Sequence, residues 1–285
     1  MGKPPTTVLR CDWTTVLTQS SNSVDHGNRV TNRLPTYFKL HGYKSPTDGE
    51  NGPFQYALDT DLSFFDYLHQ DPARAKTFNM CMQGSKINRR FWFEWYPFVE
   101  RLLAPFEASK TPDSVFLVDM GGGNGVHLMA LARNFPSLEN HLVLQDLPGT
   151  ITGLEKSKTL SPGIRPMAHD IFSPQSVPGA FIYYSHFVLH DFSDEKCRVL
   201  LKEVAKVMRP GYSRILLNET IIPETGCPAF FAASDMVMMA VLAGIVRSQS
   251  QWVRLVESAG LLVIQMWVSP DEGDMEGIIE AEVPV

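Results

Sequence analysis

Val118-Asp119-Met120-Gly121-Gly122-Gly123-Asn124-Gly125 is the stretch on which the reading of this chain turns. The apolar run Val115-Phe116-Leu117 leads into it, and the helical pattern Val126-His127-Leu128-Met129-Ala130-Leu131-Ala132 leaves it. A β-branched and aromatic run that passes through glycines into a helix is the strand–turn–helix of nucleotide-binding folds. Glycine suits the turn because the backbone must reverse sharply, can need φ > 0, and must let ligand atoms approach with no Cβ between. Gly121, Gly123 and Gly125 therefore read as one binding loop.

Spacing selects the nucleotide. A dinucleotide fingerprint, G-x-G-x-x-G, packs its third glycine beneath a pyrophosphate; counted from Gly121 and Gly123, that position holds Val126. The pattern here is G-x-G-x-G, with Asp119 just before it. An acid beside the loop repels a pyrophosphate but pairs with a cationic amino group, and S-adenosylmethionine carries an ammonium and no phosphate. Further on, His141-Leu142-Val143-Leu144-Gln145-Asp146 reads as a second strand ending in an acid, the usual partner of a ribose diol. The expected cofactor is S-adenosylmethionine rather than NAD.

Around this centre the 285 residues, 44% hydrophobic and 20% charged, suffice for a large core. A net charge of −6 without clustered Lys and Arg excludes nucleic acid as a partner. No apolar stretch is long enough to span a bilayer, and Met1 to Thr15 has neither the apolar core nor the cleavage site of a secretory signal, so the expectation is a cytoplasmic enzyme without a membrane partner. Cys11, Cys81, Cys197 and Cys227 lack C-x-x-C spacing and read as free thiols. His186 and His190 stand four apart with no third ligand at helpful spacing, so no metal site is expected.

Two regions are expected: 1–110, loop-rich and then helical, forming a substrate wall; and 111–285, the cofactor-binding catalytic domain. Ser, Thr, Asn, Gly and Pro dominate up to about residue 55, which predicts little regular structure before Phe54. Asp61 to Leu68 looks like a short capped helix, and Asp71-Pro72 like an N-cap with proline at the first helical position. Phe78, Met82 and then Ile87, Phe91, Trp92, Trp95, Phe98, Val99, Leu102 and Leu103 recur at helical spacing until Pro105, which is expected to stop the helix. Such aromatics pack a domain, and beside a cofactor domain they also enclose a flat apolar substrate. Beyond 114, strand candidates at 115–120, 141–146, 164–168, 180–185 and 213–219 alternate with helices near 124–134, 148–158, 193–208, 230–242 and 249–259. The fold class is α/β, a Rossmann-like, mostly parallel sheet. Runs 261–268 and 277–283, joined by a turn, predict a C-terminal antiparallel hairpin.

Chemistry points to Tyr183-Tyr184-Ser185-His186-Phe187-Val188-Leu189-His190-Asp191-Phe192-Ser193-Asp194-Glu195-Lys196-Cys197. Here an apolar strand runs out to His190-Asp191 before Ser193 or Asp194 caps the next helix. Open α/β sheets place their ligands at the carboxyl ends of strands. A histidine there, ordinarily titrating near ~6.5, suits the removal of a phenolic or enolic proton.

These pieces, with Asp146-Leu147-Pro148, His169-Asp170-Ile171-Phe172 and Asn218-Glu219-Thr220, resemble the caffeate-type class I O-methyltransferases of plants and fungi. The resemblance implies cofactor contacts from Asp119, Gly121, Gly123, Asp146, Leu147, Asp170, Ile171 and Phe172, with His186 standing where the family usually has a lysine. It implies His190 as general base beside Asp191, oriented by Glu219; the residues themselves point to a flat apolar acceptor enclosed by Phe78, Met82, Met238 and Met239. A carboxylate on one imidazole nitrogen fixes the tautomer and stabilises the imidazolium formed at the other.

Three departures stand out. Gly244-Ile245-Val246-Arg247-Ser248 contains no counterpart of the family's second glutamate, Ser85 replaces a common histidine, and most of a winged-helix-like dimerisation region is lacking. A homodimer is thus left open. The leading expectation is methylation of a hydroxyl on an aromatic or polyketide-like metabolite. Two alternatives stand beside it: a methyltransferase-fold pericyclase that binds S-adenosylmethionine without spending its methyl, and a non-catalytic partner of another methyltransferase.

Overall fold

In a computed structural model of the chain, residues 21–75, 78, 90–271 and 273–285 are described. The apolar runs beyond residue 114 pair into one sheet. Its strands are β1 (Leu117–Met120), β2 (Leu142–Asp146), β3 (Ile164–Ala168), β4 (Ile182–His186), β5 (Arg214–Thr220), β6 (Leu262–Val268) and β7 (Glu276–Glu282), in the order β3-β2-β1-β4-β5-β7-β6. Pairings among the first five are parallel, and β7 runs antiparallel to both β5 and β6. The mostly parallel sheet closed by an antiparallel hairpin is the one expected from the sequence.

Successive strand side chains point to opposite faces, and both faces here are apolar. Leu117, Leu142, Leu144, Ile182, Tyr184, Leu216 and Ile278 share one core with Trp92, Phe98, Leu102 and Phe106. Their neighbours Val118, Val143, Tyr183, Ile215, Leu217 and Ile279 share the other with Leu200 and Val204 of the helix Asp194–Val207 and with Trp252 and Leu255 of the helix Gln249–Ser258. A sheet covered on both sides needs parallel strands with near-continuous apolar runs, as this sequence supplies. Because β3, β2, β1 and β4 are adjacent and parallel, their carboxyl ends line one edge.

Two expectations are corrected. Among the described residues, the segment before Phe54 is not mostly irregular: Ser21–His41 is a helix with Pro35 inside it. Its polar composition hid the spacing of Val30, Leu34 and Tyr37, which recur along one face and are buried. Nor does Pro105 stop one long helix. Trp92–Glu94 is a 3-10 turn, and a π-helical turn over Val99–Leu103 runs into the α-helix Ala104–Ser109. Pro105 sits in the first turn of that last helix, the position where its missing N–H is best tolerated. Gln55 supports the approach to the helix Phe64–His69 by donating to the carbonyls of Gly49 and Leu62. The short capped helix expected over Asp61–Leu68 begins at Phe64 with Ser63 as its cap, and Asp71 accepts from the Ala73 N–H, as expected of an N-cap. Met82 and Ser85 lie outside the described residues.

The chain divides into two compact units, residues up to 89 with 232–244, and 90–231 with 245–285. In the first, Val30, Leu34, Phe54, Ala57 and Ala240 form a small core. Among the described residues no helix is long and apolar enough to cross a membrane.

Phe98 is the packing keystone of the second unit, 2% exposed and with its ring 4.6 Å from that of Phe135, 5.4 Å from Trp92 and 5.9 Å from Phe116. Phe98→Ala is expected to cost ~3–5 kcal/mol through the cavity it leaves, read in urea unfolding as a lower midpoint at unchanged slope.

Candidate active site

The glycine loop sits where β1 ends. Gly121, Gly123 and Gly125 all have positive φ, at 73°, 59° and 73°, a region that glycine occupies without strain. The N–H groups of Gly121 and Gly122 donate to the Gln145 carbonyl, and that of Gly123 donates to Asp146 Oδ2 at 2.8 Å. Asp146 Oδ1 accepts from the Leu147 N–H at 2.8 Å. The acid at the end of β2 thus ties the loop to its neighbouring strand, a role additional to any ligand contact. A Cβ added at Gly123 meets nothing within 4 Å, so the loop is open on that side.

Gly122 is a residue the sequence reading passed over. Its φ is not positive, yet an added Cβ would collide with Leu144 Cδ1 and come within 2.6 Å of Asp119 Cγ. Asp119 itself is 1% exposed. Three glycines are therefore needed for backbone shape and a fourth for clearance over a buried carboxylate. A run of consecutive glycines was the only signal of it.

The remaining cofactor candidates line the same edge. Leu147 follows β2 and is 46% exposed. The turn after β3 carries Asp170, whose Oδ1 accepts from the Phe172 N–H at 3.0 Å, with Ile171 between them. The neighbouring His169 N–H donates to the Asp146 carbonyl. His186 closes β4, its Nε2 3.5 Å from Glu276 Oε1 and its ring 4.2 Å from that of His127. Asn218 donates to Glu276 and accepts from the Tyr184 hydroxyl, so a buried polar chain runs beneath this edge.

Beyond β4 the backbone turns through Phe187, at φ 52°, into the 3-10 turn Leu189–Asp191. Glu219 of β5, fully buried, is placed to catch it. Its Oε1 accepts from the N–H groups of Val188 at 3.0 Å and Leu189 at 2.7 Å, and its Oε2 lies 3.0 Å from His190 Nδ1. On the other side of the ring, His190 Nε2 is 3.2 Å from Asp191 Oδ1. Burial alone would lower the His190 pKa, but the charges and hydrogen bonds of Glu219 and Asp191 outweigh it and raise the group to about 10. Asp191 is itself raised, by burial first, with the histidine working the other way.

Arg247 is the functional neighbour that sequence reasoning missed. It is 0% exposed and donates to the carbonyls flanking the histidine, Leu189 at 3.0 Å and Phe192 at 2.8 Å, while pairing with Asp194 at 2.8 Å. An arginine within the apolar run Gly244-Ile245-Val246 was the available signal, since a charge there must be paired if buried. Val246, where the resemblance places a second glutamate, is 5% exposed. Of the expected acceptor-wall residues, Phe78 is half-buried with edge-to-face contacts to Phe64 and Phe65, Met238 is buried and Met239 half-buried.

Residues 46–262 match the O-methyltransferase domain family. The O-methyltransferase asqD of Emericella nidulans is 40% identical over 248 residues, covering 87% of this chain and 62% of that protein. Among solved structures, LepI in complex with SAM superposes with a TM-score of 0.78 at 27% identity, over 90% of this chain and 64% of that one. OxaC in complex with sinefungin and meleagrin also gives 0.78 at 27% identity, over 90% and 63%. The chain therefore spans less than two thirds of the length of each.

The raised His190 has a consequence for stability. A group whose folded pKa exceeds its unfolded value near 6.5 contributes stability fully present below 6.5 and lost as pH rises through about 10. The unfolding free energy of the wild type relative to His190→Gln is expected to fall steadily across that window; a difference independent of pH would contradict the pairing.

Proposed function

Since the chain belongs to the O-methyltransferase domain family, we propose that it methylates a hydroxyl oxygen of an aromatic or polyketide-like metabolite. The observation that carries this reading is the histidine held by a fully buried glutamate, Glu219 Oε2 to His190 Nδ1 at 3.0 Å. With Nδ1 donating to that carboxylate, Nε2 is the ring atom proposed to meet the acceptor.

S-adenosylmethionine is the cofactor of this family. The residues present suit it. Asp119 provides a buried negative charge beneath the loop for an ammonium, Gly121 and Gly123 a backbone surface that a side chain would obstruct, and Asp146 and Asp170 acceptors for hydroxyl and amino groups. Leu147, Ile171, Phe172 and His186 complete the expected contacts along the same edge. When bound, the cofactor supplies an electrophilic methyl on a sulfonium. The protein's own work is to hold the acceptor oxygen in line, exclude water and manage one proton at His190 Nε2, where orientation supplies most of the rate. Asp191 sits beside that atom as a second carboxylate. Phe78, Met82, Met238 and Met239 are proposed to give the acceptor a soft apolar wall, adaptable to flat ring systems.

Incubation with methyl-labelled S-adenosylmethionine and a panel of phenolic and enolic metabolites tests the reading. Label in the product supports it, whereas unlabelled isomerised product would indicate a pericyclase. Asp146→Ala is expected to weaken cofactor binding by ~1–3 kcal/mol, measured by calorimetry, through lost charge-assisted hydrogen bonds. His190→Ala should lower turnover by ~10²–10⁴-fold with cofactor affinity nearly unchanged, because the ring acts on the acceptor.

A further inference from the structure

The carbonyls around His190 are held by one short strap, Ile245-Val246-Arg247. The Ile245 N–H donates to the His190 carbonyl at 2.9 Å, and the Arg247 guanidinium donates to the carbonyls of Leu189 and Phe192 on either side. A guanidinium carries five N–H groups in a fixed planar fork. The remaining acceptors are Asp194 Oδ1 at 2.8 Å, the Ile245 carbonyl at 3.3 Å and Cys197 Sγ at 3.6 Å, so every donor of the fork is engaged within the protein. Arg247 is fully buried. Whatever it contributes to the site must pass through the groups it holds. One of these is Trp252, also fully buried, whose ring centre lies 5.0 Å from the guanidinium carbon, within cation–π range. Trp252 Nε1 donates to the Thr220 carbonyl at 3.2 Å, and Thr220 follows Glu219 directly. The Ile222 N–H donates to the Arg247 carbonyl at 3.2 Å. The contacts close into a circuit, from His190 through Glu219 to the end of β5, on through Trp252 to Arg247, and back to the carbonyls of the turn.

Resting on the methyl-transfer reading above, we infer that Arg247 is a positioning residue for His190: backed by Trp252, it sets where the imidazole stands against Glu219, and so where the other ring nitrogen meets the acceptor oxygen. Glu219 grips the N–H groups of Val188 and Leu189 and the ring itself. Those contacts hold the entry to the turn and leave the peptide planes beyond Leu189 free to rotate. The strap removes that freedom, because it fixes the carbonyls of Leu189, His190 and Phe192 together. Asp194 opens the helix Asp194–Val207, so the fork also ties the turn to the element that follows it. The reacting nitrogen stands at the far end of the side chain, where a small rotation of the backbone is magnified, and a misplacement of ~1 Å can cost ~10²-fold in rate. Lysine at this position would keep the charge, but three donors on one nitrogen cannot reach acceptors spread around a planar fork. Arg247 takes no part in the proton transfer. His190 accepts the acceptor's proton, and Arg247 acts on the reaction only through the place it gives the ring.

The test compares Arg247→Lys with Arg101→Lys, the same change at the guanidinium that pairs with Glu280 away from the turn. With methyl-labelled S-adenosylmethionine and a saturating phenolic acceptor, kcat is expected to fall ~10²-fold in Arg247→Lys while acceptor KM and cofactor affinity stay close to wild type. In Arg101→Lys kcat should hold, although both variants unfold at lower urea. An equal fall in both variants would reduce Arg247 to a stabilising residue, and an unchanged kcat with a raised KM would make it a contact of the acceptor. Either result overturns the inference, as does kinetics unchanged from wild type. A second readout needs no turnover: the Nδ1–H proton of His190 in the NMR spectrum of protein carrying isotope-labelled histidine, assigned by its loss in His190→Gln. It should shift in Arg247→Lys and keep its place in Arg101→Lys. Trp252→Phe, which keeps an aromatic ring and removes the donor to Thr220, should shift it in the same way, and decides the matter if Arg247→Lys fails to fold. A resonance unmoved in the folded turn variants overturns the inference. Absence of label transfer by the wild type to every acceptor defeats the methyl-transfer reading, while the resonance still reports whether Arg247 places the ring.

Discussion

Glu219 governs both the shape and the chemistry of the site. Its carboxylate is fully buried on β5, where an unpaired charge would cost several kcal/mol. Three donors repay that cost, the N–H groups of Val188 and Leu189 and the His190 ring. The same three contacts hold the chain as it leaves β4 through Phe187, a residue with φ of 52° that only surrounding structure can maintain. One side chain thus fixes both the backbone turn and the ring orientation. A substitution there disturbs the two together.

Arg247 braces the opposite side of that turn. Its guanidinium links the carbonyls of Leu189 and Phe192 to Asp194, the first residue of the helix Asp194–Val207, whose N-cap is Ser193. The turn is held by a buried anion at its N–H groups and a buried cation at its carbonyls, each matched to the polarity it meets. Asp191, at the end of the turn, lies 3.2 Å from the other nitrogen of the His190 ring. Cys197 lies against the same carbonyl as Arg247, and burial raises its thiol to about 12, so it is packing rather than a nucleophile.

Elsewhere the polar groups inside the protein follow the same economy. Glu280 on β7, 1% exposed, accepts from Tyr96, Arg101 and Trp267 and so pins the segment ahead of the helix Ala104–Ser109 to the β6–β7 hairpin. Glu276, Asn218 and Tyr184 form a second buried chain beneath the cofactor edge. Asn218 is fully buried within β5.

What the sequence by itself determined was everything written in local order. Strand, glycines, helix and terminal acid follow one another within a few tens of residues, so the sheet, its parallel order, the loop at 121–125 and the place of His190 at a strand's end could be read from period and punctuation. Where composition masked period, as along Val30, Leu34 and Tyr37, the local reading failed because amphipathicity depends on which face finds a core. The resemblance already set Glu219 beside His190, but only the tertiary structure could bring Arg247, distant in sequence, to the other side of that turn, or put Gly122 over Asp119. It alone decided that both ring nitrogens meet carboxylates, because protonation depends on the field of all groups that packing gathers around a buried atom, and no spacing along the chain encodes that distance.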